Sequence, residues 1–165
     1  MKKFLILFIV LVIILILIFI IKGGKKKVEI TEIKSFHFSY SVNMMMNGNV
    51  SYDVKLEDGK YIATIKPYMV SNDDALIIDL TDDQVEKLRS ILIDTEVSKW
   101  NGFDKNNKMV LDGNSFSLNI HFVNGDEIVA RGYMMWPSNY DVVRGALDNF
   151  FDEIYKNVRP DSVEE

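Results

Sequence analysis

Eighteen consecutive apolar residues, Phe4 to Ile21, contain no charge, proline, glycine or polar group. At about 1.5 Å of rise per helical residue they would reach about 27 Å, close to the roughly 30 Å hydrocarbon core of a bilayer. Leu, Ile, Val and Phe each favour insertion at a helix centre by about 0.3 to 0.6 kcal/mol. The run therefore predicts a transmembrane helix. A cleaved secretory signal would have a shorter apolar region and small residues after it, whereas Ile20, Ile21 and Lys22 close this one. With no cysteine in the chain, lipid attachment through a cysteine is excluded as well. The expectation is a retained signal anchor and a single-pass protein of the cytoplasmic membrane.

The chain then divides into a short flank at 1–3, the anchor at 4–21, a basic spacer at 22–27, one domain at 28–158 and a frayed, solvated tail at 159–165. Six of the 19 basic residues fall in the first 27 positions, which leaves 13 against 24 acids, a net of −11 for the remainder. A body this acidic argues against nucleic-acid binding, which needs clustered Lys and Arg to replace phosphate counterions. Lys22, Lys25, Lys26 and Lys27 are expected to lie against anionic headgroups, so the lipid bilayer is the first expected partner. On the positive-inside rule these lysines outweigh Lys2 and Lys3 and would hold the domain in the cytoplasm. Without cysteine, neither disulfides nor thiolate-bound zinc can support the fold.

Downstream of the spacer the apolar pattern has a period of two. Phe36, Phe38, Tyr40 and Val42 alternate with His37, Ser39 and Ser41, and after Asn47-Gly48-Asn49 the pattern resumes with Val50, Tyr52, Val54 and Leu56. Asp58-Gly59 is a hairpin signal leading into a strand over Tyr61 to Met69, and Ala75 to Leu80 is a candidate fourth strand. Thr81 and Gln84 form a capping box, and Val85, Leu88, Ile91 and Leu92 recur at helical spacing, which predicts a helix over 82–94. A long connection from Trp100 to Asn114 precedes a second hairpin. Its first strand carries Phe116, Leu118, Ile120 and Phe122, Asn124-Gly125 makes the turn, and Glu127 to Met134 returns. After Pro137, with Ser138 or Asn139 as cap, Tyr140, Val143, Leu147, Phe150 and Ile154 form the stripe of a terminal helix. The predicted fold class is α+β, a mainly antiparallel sheet of five to six strands with both helices packed on one face, preceded by the N-terminal transmembrane helix.

The segment Leu111 to Phe122, followed by Asn124-Gly125, Gly132 and Pro137-Ser138-Asn139-Tyr140, has the form D-G-x-x-[WF]-x-L-x-I-x-F-x-x-G, a second Gly, then P-x-N-[YF]. It resembles a pattern seen in uncharacterised exported or lipid-anchored bacterial domains, often with an upstream loop like Trp100-Asn101-Gly102-Phe103. Phe116 stands where many relatives have Trp, and Met134 where Asn often follows. The resemblance implies an exported domain, hence an extracytoplasmic one, and brings no activity with it.

Candidate sites follow from chemistry-bearing residues. His37 and His121 fall on the polar side of predicted strands, but zinc needs three or four ligands, so no metal site is expected. Ser, His and Asp all occur without a G-x-S-x-G elbow, so catalytic residues stay unassigned. Asn72-Asp73-Asp74, Asp82-Asp83 and Asp104 with Asn106 and Asn107 lack calcium-loop spacing; Asp82 and Asp83 suit a helix first turn. Tyr133, Met134, Met135, Trp136 and Tyr140 cluster where the last hairpin meets the final helix, and Met44, Met45 and Met46 form an apolar loop. Adjacent strand residues point to opposite faces, so one of Met134 and Met135 should be exposed. The cluster reads first as core with a packed corner, Trp100 plugging it; the alternative is a binding surface of Tyr133, Met135, Trp136, Tyr140 and Trp100, or the polar sheet face with His37 and His121. No cofactor is expected. The leading expectation is a non-enzymatic binding module contacting an envelope protein or polymer, with an envelope hydrolase and a cytoplasmic-facing adaptor as alternatives.

Overall fold

The computed structural model describes residues 28–41 and 48–159. Their order is β1 (Ile33–Ser41), β2 (Asn49–Glu57), β3 (Lys60–Lys66), β4 (Leu76–Leu80), α1 (Asp82–Asp94), β5 (Phe103–Asn106), β6 (Ser115–Phe122), β7 (Glu127–Tyr133) and α2 (Tyr140–Val158). All seven strands join one sheet in the order β4-β3-β2-β1-β6-β7-β5.

The alternation dictates the layers. Phe36, Phe38, Val50, Tyr52, Val54, Leu118 and Ile120 are buried on one side, together with Leu88 and Leu92 of α1 and Val143, Leu147 and Phe151 of α2. Both helices therefore bury their stripes in a single core. Phe151 is its centre, stacked on Tyr52 at 4.4 Å and on Phe36 at 5.9 Å between ring centroids. Lys87 of α1 reaches Glu153 of α2 at 2.8 Å across the helix pair. Local signals hold where the chemistry is local. Asp58 (φ 50°) and Gly59 (φ 79°) give the two left-handed residues of a type I′ turn. The Thr81 hydroxyl accepts from Gln84 N while the Gln84 amide oxygen accepts from Thr81 N at 2.8 Å, closing the box at the start of α1.

The expected sheet of five to six mainly antiparallel strands is corrected to seven strands in a mixed sheet. The additional strand is β5, four residues inside what reads as a connection, paired parallel to β7 from Phe103↔Ala130 to Asn106↔Tyr133. As an edge strand with one apolar side chain it has no alternation to announce it; Phe103 holds it by lying 6.0 Å from the Phe116 ring. A register shift between Ile33 and Ser35 lets Ile33 join Phe36 in the core despite their odd spacing.

The membrane expectation is corrected too. Among the described residues no helix is long and apolar enough to cross a membrane, and the expected span Phe4–Ile21 lies outside them. Among the described residues the fold thus contains no transmembrane helix, and these residues give the signal anchor, the single-pass placement in the cytoplasmic membrane and the bilayer contact no support. The Met44 to Met46 loop and most of the expected tail also lie outside the described residues.

Candidate ligand-binding face

The residues singled out in the sequence separate into two groups. Trp100 (2% exposed) and Tyr140 are core. The indole N–H of Trp100 donates to the Ser138 carbonyl at 2.9 Å, its ring stacks near Tyr140 at 5.9 Å, and Phe116 meets Tyr140 at 5.0 Å. Gly132 makes this corner possible: it pairs with Phe116 in register, and a Cβ there would come within 2.5 Å of the ring and 2.1 Å of the Met135 carbonyl. Trp136, 39% exposed, rests on Tyr140 at 4.6 Å as the outer leaf of the same stack. Met135 is 37% exposed. Met134 has φ 50°, so the strand ends there and its sulfur folds back to accept from Asn114 N at 3.2 Å. The aromatic cluster closes a corner of the core.

His37, His121 and Tyr133 lie on the opposite side, the face that neither helix covers. Strand register builds rows across it. One row runs Thr64, Asp53, His37, Asn119; the next runs Lys66, Ser51, Ser39, Ser117, Arg131, Asp104. His37 and His121 sit in different rows. His121 instead faces Glu127 at 3.4 Å, and among the described residues no three His, Cys, Asp or Glu side chains stand close enough to hold a metal ion.

Between the two rows a chain of hydrogen bonds forms. His37 Nδ1 lies 2.8 Å from Asp53 Oδ1, His37 Nε2 lies 3.1 Å from Ser39 Oγ, and the Ser51 hydroxyl donates to Asp53 Oδ2 at 3.0 Å. An ionised Asp53 selects the tautomer with the proton on Nδ1, leaving Nε2 to accept from Ser39. Burial alone would raise the Asp53 carboxyl. The hydrogen bond and charge of His37, the Ser51 hydroxyl and the Lys55 charge outweigh it and hold the group below the usual carboxylate range. Period-two patterning puts these four side chains on one face, but only the strand pairing brings Asp53 beside His37. That non-local register is why sequence reading left the Ser, His and Asp residues unassigned.

In the second row the short side chains leave a depression. A cavity of about 330 Å³ is lined by Ser39, Ser41, Ser51, Lys66, Ser115 and Ser117 among others, with Asn72 at its side. A second depression of about 310 Å³ shares Ser115 and Ser117 and extends to Arg131 and Tyr133. The two form one groove across the strands. From β3 to β7 it spans four strand spacings, about 19 Å. Arg131 at one end is held by Asp104 at 3.1 Å, and the Tyr133 hydroxyl donates to the Leu111 carbonyl at 2.8 Å. Lys66 at the other end is only 7% exposed and donates to the Asn49 carbonyl. Sequence reading missed Lys66 altogether, since a lysine inside the predicted strand Tyr61 to Met69 carries no signal of burial.

Fold and face together define a small α+β domain with one helix-covered and one open polar sheet face. No protein-family model matches the chain, and no curated protein matches it.

Proposed function

We propose that this domain is a non-enzymatic recognition module that binds a polar ligand, bearing hydroxyl or amide groups, in the groove across its open sheet face. The observation that carries the reading is the row Lys66, Ser51, Ser39, Ser117, Arg131 on five neighbouring strands. Its middle is made of hydroxyls, Ser39 and Ser51 with oxygens that can still accept and Ser117 with a proton to donate, on side chains that lose little rotamer freedom when ordered. Its ends are cations. A ligand lying across the strands would meet hydrogen-bonding groups at every strand crossing without displacing large side chains. An NMR titration of the full-length chain with a panel of small polyols, amides and carboxylic acids tests this. Saturable shifts confined to the amides of Ser39, Ser51, Ser115 and Ser117 support it. Shifts confined to the depression of about 320 Å³ between Val28 to Ile30 and α1, or no saturable shift at all, overturn it.

A second reading, acyl hydrolysis, has one observation behind it, the Ser39, His37, Asp53 chain. In it Asp53 orients the imidazole, Nε2 takes the Ser39 proton, and Oγ attacks a carbonyl carbon. Against it, β1 is paired on both sides, so its backbone amides are committed to the sheet and furnish no oxyanion hole. A fluorophosphonate probe decides between the two. Labelling that Ser39→Ala abolishes would favour hydrolysis; an unlabelled protein favours binding alone.

A further inference from the structure

We infer that the Lys66 end of the groove is an oxyanion subsite, built to take a carboxylate or phosphoryl group of the ligand. The inference rests on the binding reading above and names the chemistry of one ligand group. Lys66 is among the least exposed polar residues of the domain. A buried ammonium is costly unless an opposite charge accompanies it. Other partly buried ionisable groups on the sheet and α2 have partners of complementary kind: Asp53 has the His37 ring, Arg144 approaches Asp141 at 3.6 Å, and Asp148 accepts from two phenols. For Lys66, no carboxylate among the described residues lies within ion-pairing distance; one of its protons goes to the Asn49 carbonyl, a neutral acceptor.

The hydroxyls around it have protons to spare. Ser117 Oγ accepts from the Asn119 amide at 3.3 Å, which leaves its own O–H available. Ser41 Oγ accepts from Ser115 N at 2.8 Å and shares a single hydrogen bond with Ser115 Oγ at 3.3 Å. Two hydroxyls with one bond between them always leave one proton unused. The cavity therefore presents an ammonium and two hydroxyl donors, while on this face the Asp53 carboxylate is occupied by His37 and Ser51 and the Asp104 carboxylate by Arg131. Donors in excess of acceptors around a single positive charge are what an oxyanion completes.

The test is an amide NMR titration of the full-length chain with sodium phosphate and, separately, sodium acetate, at ionic strength held constant with sodium chloride. A saturable shift at Ser39, Ser51, Ser115 and Ser117 is expected with at least one of them; phosphate alone identifies a phosphoryl ligand and acetate alone a carboxylate. Lys66→Met should weaken binding at least about tenfold, the loss expected for a charge-assisted hydrogen bond. Ser117→Asp, on the open face and therefore not demanding on folding, should abolish it by placing an anion in the site. Lys55→Met, an exposed lysine of the same face, should leave it unchanged. Shifts that merely follow ionic strength, or binding that persists in Ser117→Asp, overturn the subsite. If neutral polyols or amides still saturate the groove in that case, the recognition reading stands and only the oxyanion assignment falls.

Discussion

Tyr52 and Asp53 are neighbours in β2 and point to opposite sides of the sheet, and each belongs to an aspartate held by two side-chain donors. Under the helices, Asp148 of α2 accepts from the Tyr40 hydroxyl at 2.9 Å and the Tyr52 hydroxyl at 3.0 Å. On the open face, Asp53 accepts from His37 and Ser51. The two carboxyls are buried to comparable degrees, yet they are displaced in opposite directions. Asp148 is raised: burial dominates, the phenol hydrogen bonds and Arg144 only partly offset it, and Asp152 adds repulsion. Asp53 is lowered because an imidazole and a lysine lie among its partners. Partner charge, not depth, sets the difference. The covered face uses its polar groups to fasten a helix to the sheet, and the open face keeps charged and hydroxylated groups where a ligand can reach them.

The sharpest way to break the comparison is to remove a large side chain from each face. Phe151→Ala takes away the ring between Phe36 and Tyr52 and should cost about 3 to 5 kcal/mol in chemical denaturation. Asn119→Ala on the open face should stay within about 0.5 kcal/mol. Equal losses would mean that the open face is a second core. Next in size is Asp148→Ala, which leaves the Tyr40 and Tyr52 hydroxyls without their acceptor under α2 and should cost about 2 to 4 kcal/mol. In a Tyr52→Phe background the same substitution should cost less, because one orphaned hydroxyl is already gone. Additive losses would show that the phenols do not act through Asp148.

What the sequence makes legible divides along the same line between local and non-local causes. Capping at Thr81, the Asp58-Gly59 and Asn124-Gly125 turns and the stripes of both helices are decided within a few residues, and they stand as read. The strand β5 was invisible because four residues with one apolar side chain have no period; it exists only because β7 offers an edge and Phe116 a ring. The bulge at the start of β1 likewise breaks the alternation for reasons set by pairing. For the site, patterning places His37, Ser39, Asp53 and Ser117 on one face. It cannot give the register that sets Asp53 against His37, nor the covering that buries Lys66. The aromatic residues of the Trp100 to Tyr140 region left two readings open for a related reason: density reads the same in a core corner as in a groove, and only packing around Gly132 separates them.

The smallest predicted effect is the most discriminating, because its sign differs between the faces. For Asp53 the folded pKa lies below the unfolded value of about 3.9, so the unfolded chain binds more protons in the window below it. Its contribution is present above that value and is lost as pH falls through the folded pKa. For Asp148 the folded pKa lies above the unfolded one, so its contribution is full below about 3.9 and is lost as pH rises through the folded value. Stability measured by denaturant unfolding from pH 3 to 7 in the parent, Asp53→Asn and Asp148→Asn should therefore show opposite changes of slope. Asp53→Asn removes a rise with pH and costs no more than about 1 kcal/mol at neutrality, since the pair is half exposed. Asp148→Asn removes a fall with pH while keeping an oxygen for one tyrosine. If both variants changed the slope in the same direction, burial alone would govern the two carboxyls, and the electrostatic distinction between the covered and the open face would be lost.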